Sequence, residues 1–113
     1  MGYYSDFTIK VDCKDQNRKD KILYSMQLVS GYSFYKSAVE DYDFYISDVK
    51  WYSCPTDMKN VSNEFKDVLF TVYGYGEDGK QWVHYFKGGK ASEMLEPEII
   101  FPQFEESMLK RSD

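Results

Sequence analysis

A chain of 113 residues, 42% hydrophobic and 19% aromatic, holds one domain with one core and leaves no room for two domains and a linker. The net charge of -5 and a pI near 4.9 argue against the basic face of a nucleic-acid binder. A mean hydropathy of -0.61, with no apolar run near the ~20 residues that cross a bilayer, argues against a membrane span.

The first predicted element is a half-buried strand over residues 4–13. Phe7, Ile9, Val11 and Cys13 fall on one face, and Thr8, Lys10 and Asp12 on the other. Asp15 is suited to cap a helix over residues 16–30, in which Ile22, Met26 and Val29 recur at helical spacing. Gly31 supplies its left-handed stop, and its first turns carry Arg18, Lys19 and Lys21. Residues 32–43 read as a loop with room for a short strand or helical turn. Residues 44–52 form a second strand, with Tyr45, Ser47, Val49 and Trp51 on one face and Phe44 and Ile46 on the other.

Pro55 fits the first turn of a second helix, whose stripe is Met58, Val61 and Phe65. A strand over residues 68–75 and another over 81–87 flank Glu77-Asp78-Gly79, which is a hairpin turn. Gly88-Gly89 makes a second tight turn, and residues 90–95 add a third strand to the meander. Ile99, Ile100 and Phe101 are too apolar to hang free, and residues 105–113 form a frayed or disordered tail. The expected domain is therefore residues 1–104. Its predicted fold is α+β, a two-layer sandwich with a mostly antiparallel sheet and two helices on one face. The predicted order is β-α-β-α-β-β-β, a relative of the ferredoxin-like arrangement with an added strand.

Several residues invite a chemical reading. Gly74, Gly76 and Gly79 match G-x-G-x-x-G after a strand, but the dinucleotide fingerprint needs a helix to open there, whereas a strand follows. Glu77 and Asp78 would also repel phosphate. His84 is the one histidine, and it alternates with Trp82 and Phe86 on one strand face, so a structural role is expected. A general base would need a nucleophile and an orienting acid beside it. Cys13 and Cys54 show no C-x-x-C spacing, and the chain start has no basic-then-apolar leader pattern. Reduced thiols in a cytoplasmic setting, with no metal and no cofactor, are the expectation. Asn60-Val61-Ser62 fits a glycosylation sequon, which outside secretion is chance.

What remains is surface chemistry. Glu93, Glu96, Glu98, Glu105 and Glu106 form one acidic group; Glu40, Asp41, Asp43 and Asp48 form another, interleaved with Tyr42, Phe44 and Tyr45. Eleven tyrosines cannot all be buried cheaply, because each buried hydroxyl needs a partner. An acidic, tyrosine-rich face suits a hot-spot surface for a protein partner with a basic surface. The binding residues expected are Glu40, Asp41, Tyr42, Asp43 and Tyr45, with Glu77 and Asp78 at the hairpin tip. The alternative is a single-stranded nucleic-acid or nucleotide binder that stacks bases on exposed aromatics, which would show a basic patch near Arg18, Lys19 and Lys21 beside exposed tyrosines. A small enzyme would need His84 in an open cleft beside Asp or Glu; no catalytic constellation is legible, so a non-enzymatic protein is expected.

Residues 51–90 carry a pattern: Trp51-Tyr52, Asp57-Met58, Ser62, Phe65, Asp67, Leu69-Phe70, Gly74, Gly76-Glu77, Trp82, Tyr85-Phe86 and Gly89-Lys90. It resembles a family of small uncharacterised accessory proteins of tailed bacteriophages and prophages, over about a third of the chain. The resemblance implies a phage protein made in the cytoplasm of the infected host, and it brings no catalytic residues. Its most concrete form is an inhibitor of a host defence system, of the anti-CRISPR or anti-restriction type, whose acidic face imitates the phosphate row of DNA.

Overall fold

The structure is a computed structural model that describes residues 3–39, 41–97 and 103–109. The elements run β1 (Ser5–Val11), α1 (Gln16–Ser30), β2 (Tyr35–Lys36), β3 (Phe44–Val49), α2 (Cys54–Glu64), β4 (Phe70–Gly76), β5 (Gln81–Lys87) and β6 (Lys90–Ala91), followed by a 3-10 turn over Glu106–Met108. The strands make one six-stranded antiparallel sheet in the order β2-β3-β1-β4-β5-β6. Because β3 lies antiparallel to both β1 and β2, those two point the same way with β3 between them. β3 and β4 likewise flank β1. Each helix thus links two strands across an intervening one, the interleaved split β-α-β units of a ferredoxin-like sandwich, with β5 and β6 extending the β4 edge.

Local chemistry explains the boundaries. Asp15 accepts the Asn17 amide at 3.0 Å, and Gly31 sits in the left-handed region at φ 79° while its amide closes on the Gln27 carbonyl at 2.9 Å. Pro55 occupies the first turn of α2 and Asp57 adds a carboxylate there. α1 and α2 are tied by Ser25 Oγ donating to Glu64 at 2.6 Å. Arg18 and Asp67 form a surface ion pair that holds the Asp67 carboxyl at about 2.

Both helices cover one sheet face. Phe7, Ile9 and Val11 of β1, Phe44 and Ile46 of β3, Phe70 and Val72 of β4 and Phe86 of β5 meet Ile22, Met26, Met58 and Val61 there. Three findings depart from the sequence expectation. Residues 35–36 form an added edge strand, so the order is β-α-β-β-α-β-β-β. The alternation predicted for residues 44–52 breaks at Asp48, whose φ is 57°; the β1–β3 register shifts there by one residue, from Phe7 opposite Ile46 to Ser5 opposite Val49. That bulge parts Trp51 from Tyr45 and buries the indole against Phe7 at 5.1 Å and Phe34 at 5.4 Å between ring centroids. Leu95 pairs with Val83 as a lone bridge rather than extending β6. The docking expected of Ile99, Ile100 and Phe101 lies outside the described residues, as does the tail beyond Leu109.

Candidate functional site: the open face of the sheet

Among the described residues no α-helix lies over the second sheet face, and tyrosines line it. Strand pairing places Tyr35 beside Tyr45, Tyr45 beside Thr8, Thr8 beside Tyr73, and Tyr73 beside Val83, one row across five strands. Tyr75 stands beside Asp6 and Gln81 at one end, and Tyr85 beside Thr71 at the other. Successive residues of a strand point to opposite faces, so the same alternation that buries Phe70 and Val72 delivers Tyr73 and Tyr75 to this side. Tyr35 and Tyr45 pack with ring centroids 5.5 Å apart, and Tyr42 meets Tyr73 edge-on at 5.3 Å. Tyr45, Tyr75 and Tyr85 are 40%, 51% and 39% exposed, so each ring is half seated and half presented.

Among the described residues, no hydrogen bond engages the hydroxyls of Tyr35, Tyr42, Tyr45, Tyr73, Tyr75 or Tyr85, in contrast to Tyr3 and Tyr52. Burial raises the Tyr73 pKa, and the neighbouring Tyr42 and Tyr85 hydroxyls and the Asp41 carboxylate add to the rise. Tyr73 therefore stays a protonated donor, and Asp41 lies close enough to act on it. Asp6, Tyr42, Tyr73, Tyr75, Tyr85 and Glu96 share a shallow groove of about 580 Å³ on this face.

The sequence-predicted binding residues separate into groups. Asp41 is exposed, and Tyr42 and Tyr45 stand on the open face. Glu40 lies outside the described residues. Asp43 faces inward: it accepts the Val11 amide at 2.7 Å and the Lys19 ammonium at 2.8 Å, tying the end of β1 to α1. Removing this half-buried carboxylate orphans both donors. Asp43→Ala should cost about 1–3 kcal/mol of stability in a denaturant melt; a loss below a few tenths would show the pair to be solvent-compensated. Glu77 and Asp78 sit at the hairpin tip but are engaged, Glu77 with the Tyr4 amide at 3.3 Å and Asp78 with the Tyr3 hydroxyl and, at 3.0 Å, the Lys80 amide. The Tyr3 bond to Asp78 drives the tyrosine up to about 12 and lowers the carboxyl. Sequence reasoning passed over Tyr73, Tyr75 and Tyr85 as site residues, although strict alternation over residues 70–76 already put two of them opposite the apolar face.

His84 is buried, donates from Nε2 to the Ser92 carbonyl at 2.8 Å and stacks on Phe86 at 4.5 Å. It also lines a cavity on the helix side of the sheet, which Asp78 and Glu96 reach as well. Cys54 borders that cavity; burial, aided by Asp57, raises its pKa and keeps it a thiol. The described residues contain no group of three His, Cys, Asp or Glu side chains placed to hold a metal ion, and no helix among them is long and apolar enough to cross a membrane. No family model, curated protein or solved structure matches the chain.

Proposed function

We propose that the protein is a docking module rather than an enzyme, and that the open face of its sheet receives a basic surface of another protein. The observation that carries this reading is the tyrosine row: rings of which Tyr35, Tyr45, Tyr75 and Tyr85 are exposed, with hydroxyls that no described residue engages, fixed on a sheet face that neither α1 nor α2 covers. Rings already held by neighbouring strands lose little freedom on binding, and each brings apolar area together with a hydroxyl that can donate or accept, which is why tyrosine is enriched at interface hot spots. Asp6, Asp41 and Glu96 border the row, and the net charge of -5 draws a basic partner toward it. The phage resemblance supplies the setting we infer, an infected host cytoplasm in which the basic surface belongs to a nucleic-acid-binding defence protein.

Base stacking on the same rings is the competing reading. The basic residues it would enlist belong to α1, in the other layer, where Arg18 pairs with Asp67 and Lys19 with Asp43. The exposed tyrosine near Lys21 is Tyr24, and Asp20 and Glu64 share that patch. The docking reading is tested with a partner captured from host lysate. Asp41→Lys should slow association about fivefold at low salt, and the difference should vanish near 1 M salt, where the Debye length is about 3 Å. Equal association rates at low salt would remove the electrostatic part of the proposal; a gel shift with single-stranded DNA would favour its competitor.

A further inference from the structure

We propose that the cavity on the helix side, between β1, β4, β5 and the start of α2, binds a neutral, planar heteroaromatic small molecule that carries a ring N–H donor. The site lies on the opposite side of the sheet from the tyrosine row and stands independently of the docking reading. Its volume is about 380 Å³, within the ~300–1,000 Å³ of small-molecule sites. Its walls are Phe7, Trp51, Trp82 and Val72, with Pro55 and Met94 nearer the rim.

These walls are set before any ligand arrives. The Trp51 indole N–H donates to Asp57 at 2.7 Å, and Asp57 also accepts from Ser53 at 2.7 Å, so the ring is held at the first turn of α2. Trp82 lies flat over Gly74, at a position where any Cβ would collide with the indole. Phe7 meets both indoles edge-on, at 5.1 Å and 6.2 Å. Two fixed indoles and a phenyl ring form a slot that favours a flat ring over a branched aliphatic chain.

His84 supplies the polar anchor. A carbonyl oxygen can only accept, so in the neutral imidazole the proton is on Nε2, facing Ser92, and Nδ1 keeps a free lone pair. No described residue bonds to Nδ1, yet no buried side-chain nitrogen or oxygen in the described structure lacks a partner. Nδ1 is therefore not sealed from solvent, and the cavity that His84 lines is an opening beside this otherwise buried residue. An acceptor at the end of an aromatic slot selects a ring N–H. At the mouth, Lys80 pairs with Glu96 at 3.4 Å and Asp78 accepts from the Tyr3 hydroxyl, so one ammonium stands against two carboxylates, each already engaged, and the rim disfavours an anionic ligand.

The test uses indole and 1-methylindole, matched flat probes that differ in the N–H donor, titrated into the full chain and followed by ¹⁵N-resolved NMR. Indole should give saturable shifts concentrated on Trp51, Trp82 and His84, and 1-methylindole should bind about tenfold more weakly, the worth of one hydrogen bond. His84→Gln should erase that tenfold preference, and Leu28→Ala, a change on the exposed side of α1 away from the cavity, should leave the fold intact and the preference unchanged. Equal affinities for the two probes, shifts on the tyrosine face instead, or no saturation up to the solubility limit would each overturn the proposal.

Discussion

Trp51→Ala is expected to lower stability by about 3–5 kcal/mol, a large part of the roughly 5–15 kcal/mol available to a domain of this size. Trp51 is 3% exposed and makes ring contacts with Phe7, Tyr32 and Phe34, so its removal opens a hole bordered by parts of β1, the α1–β2 connection and α2. Rigid aromatic neighbours collapse poorly into such a hole, which puts the cost at the upper end for a large-to-small change. Trp51→Phe keeps a ring in place and removes only the N–H that reaches Asp57. Asp57 retains the Ser53 hydroxyl, so that variant should lose about 1–2 kcal/mol. Urea melts of the two variants separate packing from hydrogen bonding. Nearly equal losses would mean that the indole is held chiefly by Asp57 and that the aromatic cluster contributes little.

The second large effect is on binding with the fold preserved. Tyr45→Thr, Tyr73→Thr and Tyr75→Thr combined should weaken partner binding by more than about a hundredfold, since truncating a hot-spot tyrosine costs about 1–2 kcal/mol or more. Threonine keeps the preference for extended backbone, Tyr45 and Tyr75 are half exposed and only Tyr73 is partly buried, so the thermal midpoint should move by several degrees while the chain stays folded. The comparison with Trp51→Ala matters here. That variant loses binding only as it unfolds, whereas the triple variant should lose binding while its far-UV and near-UV spectra keep a folded signature. Retained affinity in the folded triple variant would show that the tyrosine row is solvated surface and that the docking site lies elsewhere.

Much of this architecture is legible in the chain. The Asp15 cap, the Gly31 stop and the apolar spacing between them define α1 over Gln16–Ser30, because each signal is local and all agree. β5 and the hairpin before it follow from the Gly79 turn and the flanking aromatics for the same reason. β2 is not legible: two residues carry no periodicity, and Tyr35–Lys36 is a strand only because β3 offers it an edge. The face of Trp51 is misread by strict alternation, since the positive φ at Asp48 inserts a residue that no hydrophobic pattern announces. The candidate site divides in the same way. Tyr42 and Tyr45 are singled out by composition and neighbouring charge, and the structure places both on the open face. Asp43 belongs to the fold, as its partners Val11 and Lys19 are distant in sequence. Alternation along β4 already sets Tyr73 and Tyr75 opposite the apolar face, but that they stand in one row with Tyr45 and near Tyr85 depends on strand pairing, a long-range property.

Position-resolved photo-crosslinking offers the most direct trial of a tyrosine-bearing sheet face as the contact surface. A photoreactive residue is placed in turn at Tyr45, Tyr75 and Tyr85 on that face, and at Leu28 on the outer side of α1, which is 69% exposed. Irradiation in host lysate should yield one common adduct from the three sheet positions, absent from Leu28 and lost from Tyr85 when Tyr45→Thr and Tyr73→Thr are introduced. An adduct that forms equally from Leu28, or that forms from no sheet position, would contradict the account.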